Sequence, residues 1–238
     1  MVLAVCLLLV GLVAVNGTLA QAVEDIFTSI STALGFDVPQ RNETKLDVAL
    51  ASYYRQGDAL VEGGHAQTLV PVDRDWNEKV TVNLDGASYR LWEQGAVDKF
   101  TAVKNNSPEK DAYFRIAFAL DEAIFGKLKL NFSTCQDYTW TEWTEIAIGG
   151  KAFRMLVATY TLPLAPGEVS PPTLLQAAMD KSATSEDYAR IGSDFLQIKV
   201  MAVDADALAE EIDGQLVRKG ALETLDATLP LRAGFNPF

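Results

Sequence analysis

Proton transfer and metal binding need imidazoles, thiols or carboxylates held close together, and this chain of 238 residues is sparing with the first two. Its single histidine, His65, follows Gly63 and Gly64 in a turn-like stretch, the setting of a solvated loop residue rather than a base. No Gly-x-Ser-x-Gly elbow accompanies it, and one imidazole cannot build a His-Glu-x-x-His zinc site. Of the two cysteines, Cys6 lies in an apolar leader, and Cys135 reads as a small buried hydrophobe with nothing to bring it to His65. Asp204, Asp206, Glu210 and Glu211 could offer oxygens to calcium. They lack the Asp-x-Asp-x-Asp-Gly loop, however, and read as a solvated acidic face. Trp140 and Trp143, with Tyr138 beside them, would stack a sugar if exposed and fill a core if not. This inventory predicts no enzyme, no metal site and no cofactor.

The elements that would position such residues are mostly strands. Val80, Val82 and Leu84 alternate with polar residues, and Asp85-Gly86 separates them from Ser88–Trp92, a hairpin signal. Phe114, Ile116, Phe118 and Leu120 alternate with Tyr113, Arg115, Ala117 and Ala119, which predicts a half-buried strand. Further strands are expected at Phe100–Lys104, Leu128–Phe132, Glu142–Ile148, Phe153–Tyr160 and Leu196–Val203. Phe36–Gly64 is mixed. Four prolines between Leu162 and Pro172 make that stretch a loop or a connection between sheets. From Asp206 to Leu225, Leu208, Ile212 and Leu216 share a helical stripe, so a C-terminal helix is expected, with Ala233–Phe238 as a loose tail. The fold class is therefore all-β dominated: an antiparallel jelly-roll-like β-sandwich with short helical insertions and a C-terminal helix.

The N-terminus is an address. Met1–Ala22 carries no charge, and its run of fifteen apolar residues rises only about 22 Å as a helix, short of a ~30 Å hydrocarbon core. Ala20-Gln21-Ala22 supplies the small-x-small pattern of a signal-peptidase site, although the first basic residue of the chain is Arg41. Cleavage after Ala22 leaves 216 residues in which Cys135 is the only thiol, so no intrachain disulfide can form. No stable transmembrane anchor is expected. Twenty basic against 32 acidic residues give a net charge of −12, which argues against nucleic acid as a partner. Asn42 and Asn131 stand in glycosylation sequons. After the leader, Val23, Ile26, Phe27, Ile30 and Leu34 recur at helical spacing, with Gly35 placed as a C-cap.

Three segments resemble the TasA/camelysin family of secreted proteins, whose leaders are cut by a dedicated ER-type signal peptidase. The first is Gly17-Thr18-Leu19-Ala20 followed by Val23-Glu24-Asp25-Ile26. The second is Asp98–Asn105 followed by Asp111-Ala112-Tyr113-Phe114-Arg115-Ile116. The third is Pro166-Gly167-Glu168-Val169-Ser170-Pro171-Pro172 with the strand Leu196–Ala202 and Val203-Asp204-Ala205-Asp206. The junction has one extra residue before Val23, and the region after Asp206 lies outside the pattern. The resemblance implies a jelly-roll-like subunit that polymerises into extracellular matrix fibres by donor-strand exchange. The mature N-terminal segment of one copy would complete a sheet of the next.

On that reading residues 1–22 are the signal peptide, 23–38 the candidate donor strand, and 39–238 a single β-sandwich domain with a helical tail from about 206. The assembly interface would be Val23, Ile26, Phe27, Ile30, Leu34, Phe36 and Val38. The partner would be the chain itself, with accessory matrix proteins as further partners. Two alternatives stay open. One is a pilin-like subunit that retains its apolar N-terminal helix. The other is a secreted glycan- or calcium-binding module using the Trp140 and Trp143 region or the acidic cluster near Asp204.

Overall fold

Two antiparallel sheets face each other across a core of Phe114, Ile116, Phe118, Val103, Ala158 and Leu175. The computed structural model describes residues 45–63, 69, 71–72, 76–134, 137–189, 191, 195–232 and 234–238. The first sheet runs β2 (Ala59–Glu62), β1 (Val48–Gln56), β6 (Val97–Asn105), β12 (Thr173–Asp180) and β8 (Leu128–Thr134). A two-residue β3 (Pro71–Val72) adds in parallel to the end of β12. The second sheet runs β10 (Thr144–Ile148), β11 (Lys151–Tyr160), β7 (Ala112–Asp121) and β13 (Leu196–Asp204), and β9 (Tyr138–Trp140) continues the β10 edge of β11. From β6 to β7, β7 to β8, β8 to β9, β11 to β12 and β12 to β13 the chain crosses between sheets, the alternation of a jelly-roll-like sandwich. The expected β-sandwich is therefore the fold.

Each sheet is also covered on its outer face, and this changes the reading of its central strand. The hairpin β4 (Val80–Leu84) and β5 (Ala87–Leu91) lays Leu84, Tyr89 and Leu91 on Phe100 and Leu174 of the first sheet. Over the second sheet lie α3 (Ala221–Thr228) and the residues after it. Strand β7, predicted to be half-buried, is therefore buried on both faces over nine residues. Arg115 on its outer face is 1% exposed. Its guanidinium donates to the Leu225 carbonyl at 3.3 Å, the Leu229 carbonyl at 2.5 Å and Thr159 Oγ1 at 3.2 Å, and it pairs with Asp226. A cation at the carbonyl end of α3 satisfies groups the helix cannot satisfy itself and complements its dipole.

The C-terminal region differs from expectation in two ways. No helix spans Asp206 to Leu225. Glu210–Ile212 (β14) and Gln215–Val217 (β15) form a hairpin, and the helix starts at Ala221. The physical reason is Asp213-Gly214, which take φ of 51° and 78°, both left-handed, as a two-residue hairpin loop requires. The stripe of Leu208, Ile212 and Leu216 is thus no helix face. The tail is also not loose: Phe235 and Phe238 pack with Leu231 against Met155, Val157 and Met201, and Asn236 Nδ2 donates to the Ala147 carbonyl at 2.7 Å.

The proline-rich connection extends the first sheet. Asn105 N–H donates to Glu168 O at 2.9 Å, Gly167 N–H to Asn105 O at 2.8 Å, and Ser170 N–H to Val103 O at 2.8 Å. Gly167 sits at φ 79°, a conformation a side chain would strain. Strands also appear where none was predicted, among them β1 and β2 inside the mixed stretch and β12 directly after the loop. The other helices, α1 (Glu122–Phe125) and α2 (Ser185–Ala189), are single turns. Residues Thr44–Phe238 form one compact unit.

Candidate functional site

The feature that sets one region apart is an unfinished edge. Strand β13 pairs with β7 from Leu196↔Leu120 to Asp204↔Ala112, and no strand pairs with its other side among the described residues. Nine residues at about 3.3 Å each give roughly 30 Å of unpaired backbone. The side chains tell the same story. Leu196, Ile198, Val200 and Ala202 point into the sandwich beside the fully buried Phe114, Ile116 and Phe118, yet all four are only partly buried. Inward-facing apolar residues that stay half wet mark a missing neighbour.

Close to this edge lies the first half of β1. Strand β2 pairs only Tyr53–Gln56, so the β1 edge at Val48–Ala51 has no strand beside it among the described residues. Val48 packs on the same core as Ile198 and Val200, and Leu50, on the same side of β1, is 36% exposed. The edges of β1 and β13 thus approach each other at this side of the sandwich, with apolar side chains of both on the shared core. Lys199 projects from β13 into solvent, a charge of the kind that guards edges against indiscriminate pairing.

Charged groups fix the far end of β13. Lys110 pairs with Asp204 at 2.7 Å, while Arg218 holds Asp206 at 2.5 Å and also pairs with Asp111. Burial pushes the Asp204 carboxyl up, but Lys110, the Asp206 amide and Arg218 outweigh it and hold it below the usual carboxylate range. The guanidinium of Arg218 is pushed up, chiefly by its hydrogen bonds to Asp206 and Asp111. Of the carboxylates considered for calcium, Asp204, Asp206 and Glu210, the last through Lys219 at 3.0 Å, are thus paired with the protein's own cations. Among the described residues no group of three or more His, Cys, Asp or Glu is placed to hold a metal ion.

The other sequence candidates fall in different places. Val23, Ile26, Phe27, Ile30, Leu34, Phe36 and Val38 lie outside the described residues, as do His65, Cys135 and Asn42. Trp140 and Trp143 make no open platform. Phe132 packs edge-on against both, with centroids at 5.2 and 5.5 Å, and Trp140 also leans on Phe118, Trp143 on Phe125. Tyr138 donates its hydroxyl proton to Pro171 O at 2.9 Å within the core layer. The Asn131 sequon is closed in the folded chain. That residue is 3% exposed, and the amide nitrogen a glycan would modify already donates to Arg90 O and Gln176 Oε1. Among the described residues no helix is long and apolar enough to cross a membrane.

Sequence reasoning found β13 but not that it is an edge. Alternating side chains report which face is buried, whereas edge position depends on which strands return beside it. The exposed Lys199 amid apolar neighbours was the one available hint. Compared with known proteins, the chain matches no family model, and it has no significant match to a curated protein.

Proposed function

We propose that this chain is a secreted structural subunit that polymerises into extracellular fibres, as biofilm matrix or a surface filament, with the segment 23–38 of one copy pairing along the outer edge of β13 of the next. The observation that carries the reading is the nine-residue edge of β13, which has no partner strand among the described residues, above four half-buried inward side chains. An inserted strand would satisfy the unpaired amides and carbonyls, and alternate apolar residues would fix its register. Each large aliphatic side chain so buried contributes about 1.5–3 kcal/mol, enough for a durable joint when several act together. The candidate donor supplies Val23, Ile26, Phe27, Ile30, Leu34, Phe36 and Val38 within 16 residues, more than a nine-residue edge needs. Its resemblance to TasA/camelysin chains and its signal-like leader support the same reading. So does a described fold whose acidic cluster is spent on internal ion pairs.

Electron microscopy tests this directly. The full chain should form filaments, and deletion of 23–38 should leave soluble, folded monomers. The substitution Ile198→Asp, on the inward face of β13, should stop filaments even with the donor segment present. Filaments from the deleted chain would refute the donor role. A full chain that stays monomeric with its β13 amides protected would mean the segment closes its own sandwich.

A further inference from the structure

Away from the open edge, a second concavity lies between the hairpin strand β5 and the edge strand β8. It has a volume of about 480 Å³, within the span of roughly 300–1,000 Å³ common to small-ligand sites. Side chains hold the two strands apart. Arg90 N–H donates to Ser133 Oγ at 3.1 Å, and Arg90 O accepts from Asn131 Nδ2 at 2.9 Å. A side chain thus stands where a backbone partner would be, the spacing exceeds that of a sheet ladder, and a cleft opens between β5 and β8.

The walls carry Lys79 and Arg90, with Trp76, Phe132, Asn77 and Ser88 around them, and among the described residues no carboxylate lines the cleft. In a chain of net charge −12 that is a local reversal of sign. Lys79 is held in place rather than neutralised. Its ammonium donates to Asn131 Oδ1 at 2.6 Å and sits 5.3 Å from the centre of the Trp92 ring. Asn131 in turn is anchored by the buried Gln176 at 2.8 Å, so the lysine rests on a rigid support. No ion pair is made by Lys79 or Arg90 among the described residues. Burial lowers the Lys79 pKa, and the positive charge of Arg90 lowers it further, so the two cations repel within the cleft. An anion placed between them would relieve that repulsion.

We propose that this cleft binds a carboxylate-bearing sugar, such as a uronic-acid unit of an acidic polysaccharide. Lys79 and Arg90 take the carboxylate, Asn77 and Ser88 meet the hydroxyls, and the Trp76 and Phe132 rings offer apolar walls to the sugar. A free phosphate or sulfate would use the cations but leave the aromatic and amide walls idle. Acidic sugars are thereby favoured over simple anions, and over neutral sugars that leave both cations unpaired.

The test titrates the full-length chain carrying Ile198→Asp, which should not polymerise, with trigalacturonate, a neutral galactose trimer and sodium sulfate, read by calorimetry and by indole fluorescence. Trigalacturonate should saturate at sub-millimolar concentration and bind at least tenfold more tightly than either comparator. Arg90→Gln should weaken it at least tenfold with unchanged thermal melting, since the Arg90 side chain is exposed. Lys79→Met should do likewise, and Arg90→Lys should recover part of the loss. Equal binding of the neutral trimer, equal binding of sulfate, an unaffected Arg90→Gln variant, or no saturation would each overturn the proposal.

Discussion

Two hairpins in this chain share one turn. Asp85-Gly86 joins β4 to β5 and Asp213-Gly214 joins β14 to β15, with nearly equal left-handed φ values of 47° and 82° against 51° and 78°. Their surroundings are opposite. The first buries Leu84, Tyr89 and Leu91 completely, and the second leaves all six strand residues exposed, Ile212 at 50% and Leu216 at 61%. The turn dipeptide makes a hairpin in both places, but only side-chain partners decide whether it belongs to the core. The first has them: Gln176 Oε1 accepts from Trp92 N–H at 2.7 Å, Gln176 Nε2 donates to Trp92 O at 2.9 Å, and Tyr89 donates to Pro172 O at 3.0 Å. The second is tied at its base by ion pairs from Arg218 and Lys219.

Breaking the first hairpin should therefore hurt most. Gln176→Leu strands the Trp92 amide and carbonyl in a buried site and removes a partner from Asn131 and Asp98. It should cost about 3–5 kcal/mol in urea denaturation. A cost below about 1 kcal/mol would show that Gln176 is no anchor. Next in size, Gly86→Ala should lower global stability by about 1 kcal/mol. Gly214→Ala should strain its turn as much, yet leave the global midpoint unchanged and speed only local amide exchange of β14 and β15. Smallest is Leu216→Ala, expected to shift monomer stability by no more than about 0.5 kcal/mol. A larger loss would mean the hairpin packs on something in solution.

Acid titration sharpens the same contrast. Burial pushes the Asp98 carboxyl up, against its hydrogen bond from Gln176 and the pull of Arg55. Asp204, near the second hairpin, is held down by Lys110 and Arg218 despite its own burial. Asp98 therefore contributes stability below the unfolded carboxylate pKa of about 3.9, lost as pH rises through its folded value. Asp204 contributes above that unfolded value, and loses its contribution as pH falls through its folded one. Carbon-13 titration of the two carboxyls should give midpoints on opposite sides of the ordinary value. The reverse order would contradict both environments.

Local sequence made much of this legible. Alternation located β7, β11 and β13, and Asp85-Gly86 located the first hairpin, because turn chemistry and period two are local. The second Asp-Gly went unread because Leu208, Ile212 and Leu216 also fit a helical spacing. Strand β12 was missed because Thr173-Leu-Leu-Gln-Ala-Ala-Met is buried on both faces and shows no alternation. The burial of Arg115 depended on α3, more than 100 residues away. The open edge of β13 and the cleft at Lys79 and Arg90 are likewise products of topology, and no spacing in the chain encodes them.

The proposed polymerisation requires β13 as the acceptor. Hydrogen exchange on assembled fibres of the full chain, compared with the monomer lacking 23–38, measures it residue by residue. The outward amides of Leu196–Asp204 should gain protection of at least a hundredfold in the fibre, with β7 unchanged. Equal exchange of β13 in both states, or protection gained instead along β8 or β2, would contradict it.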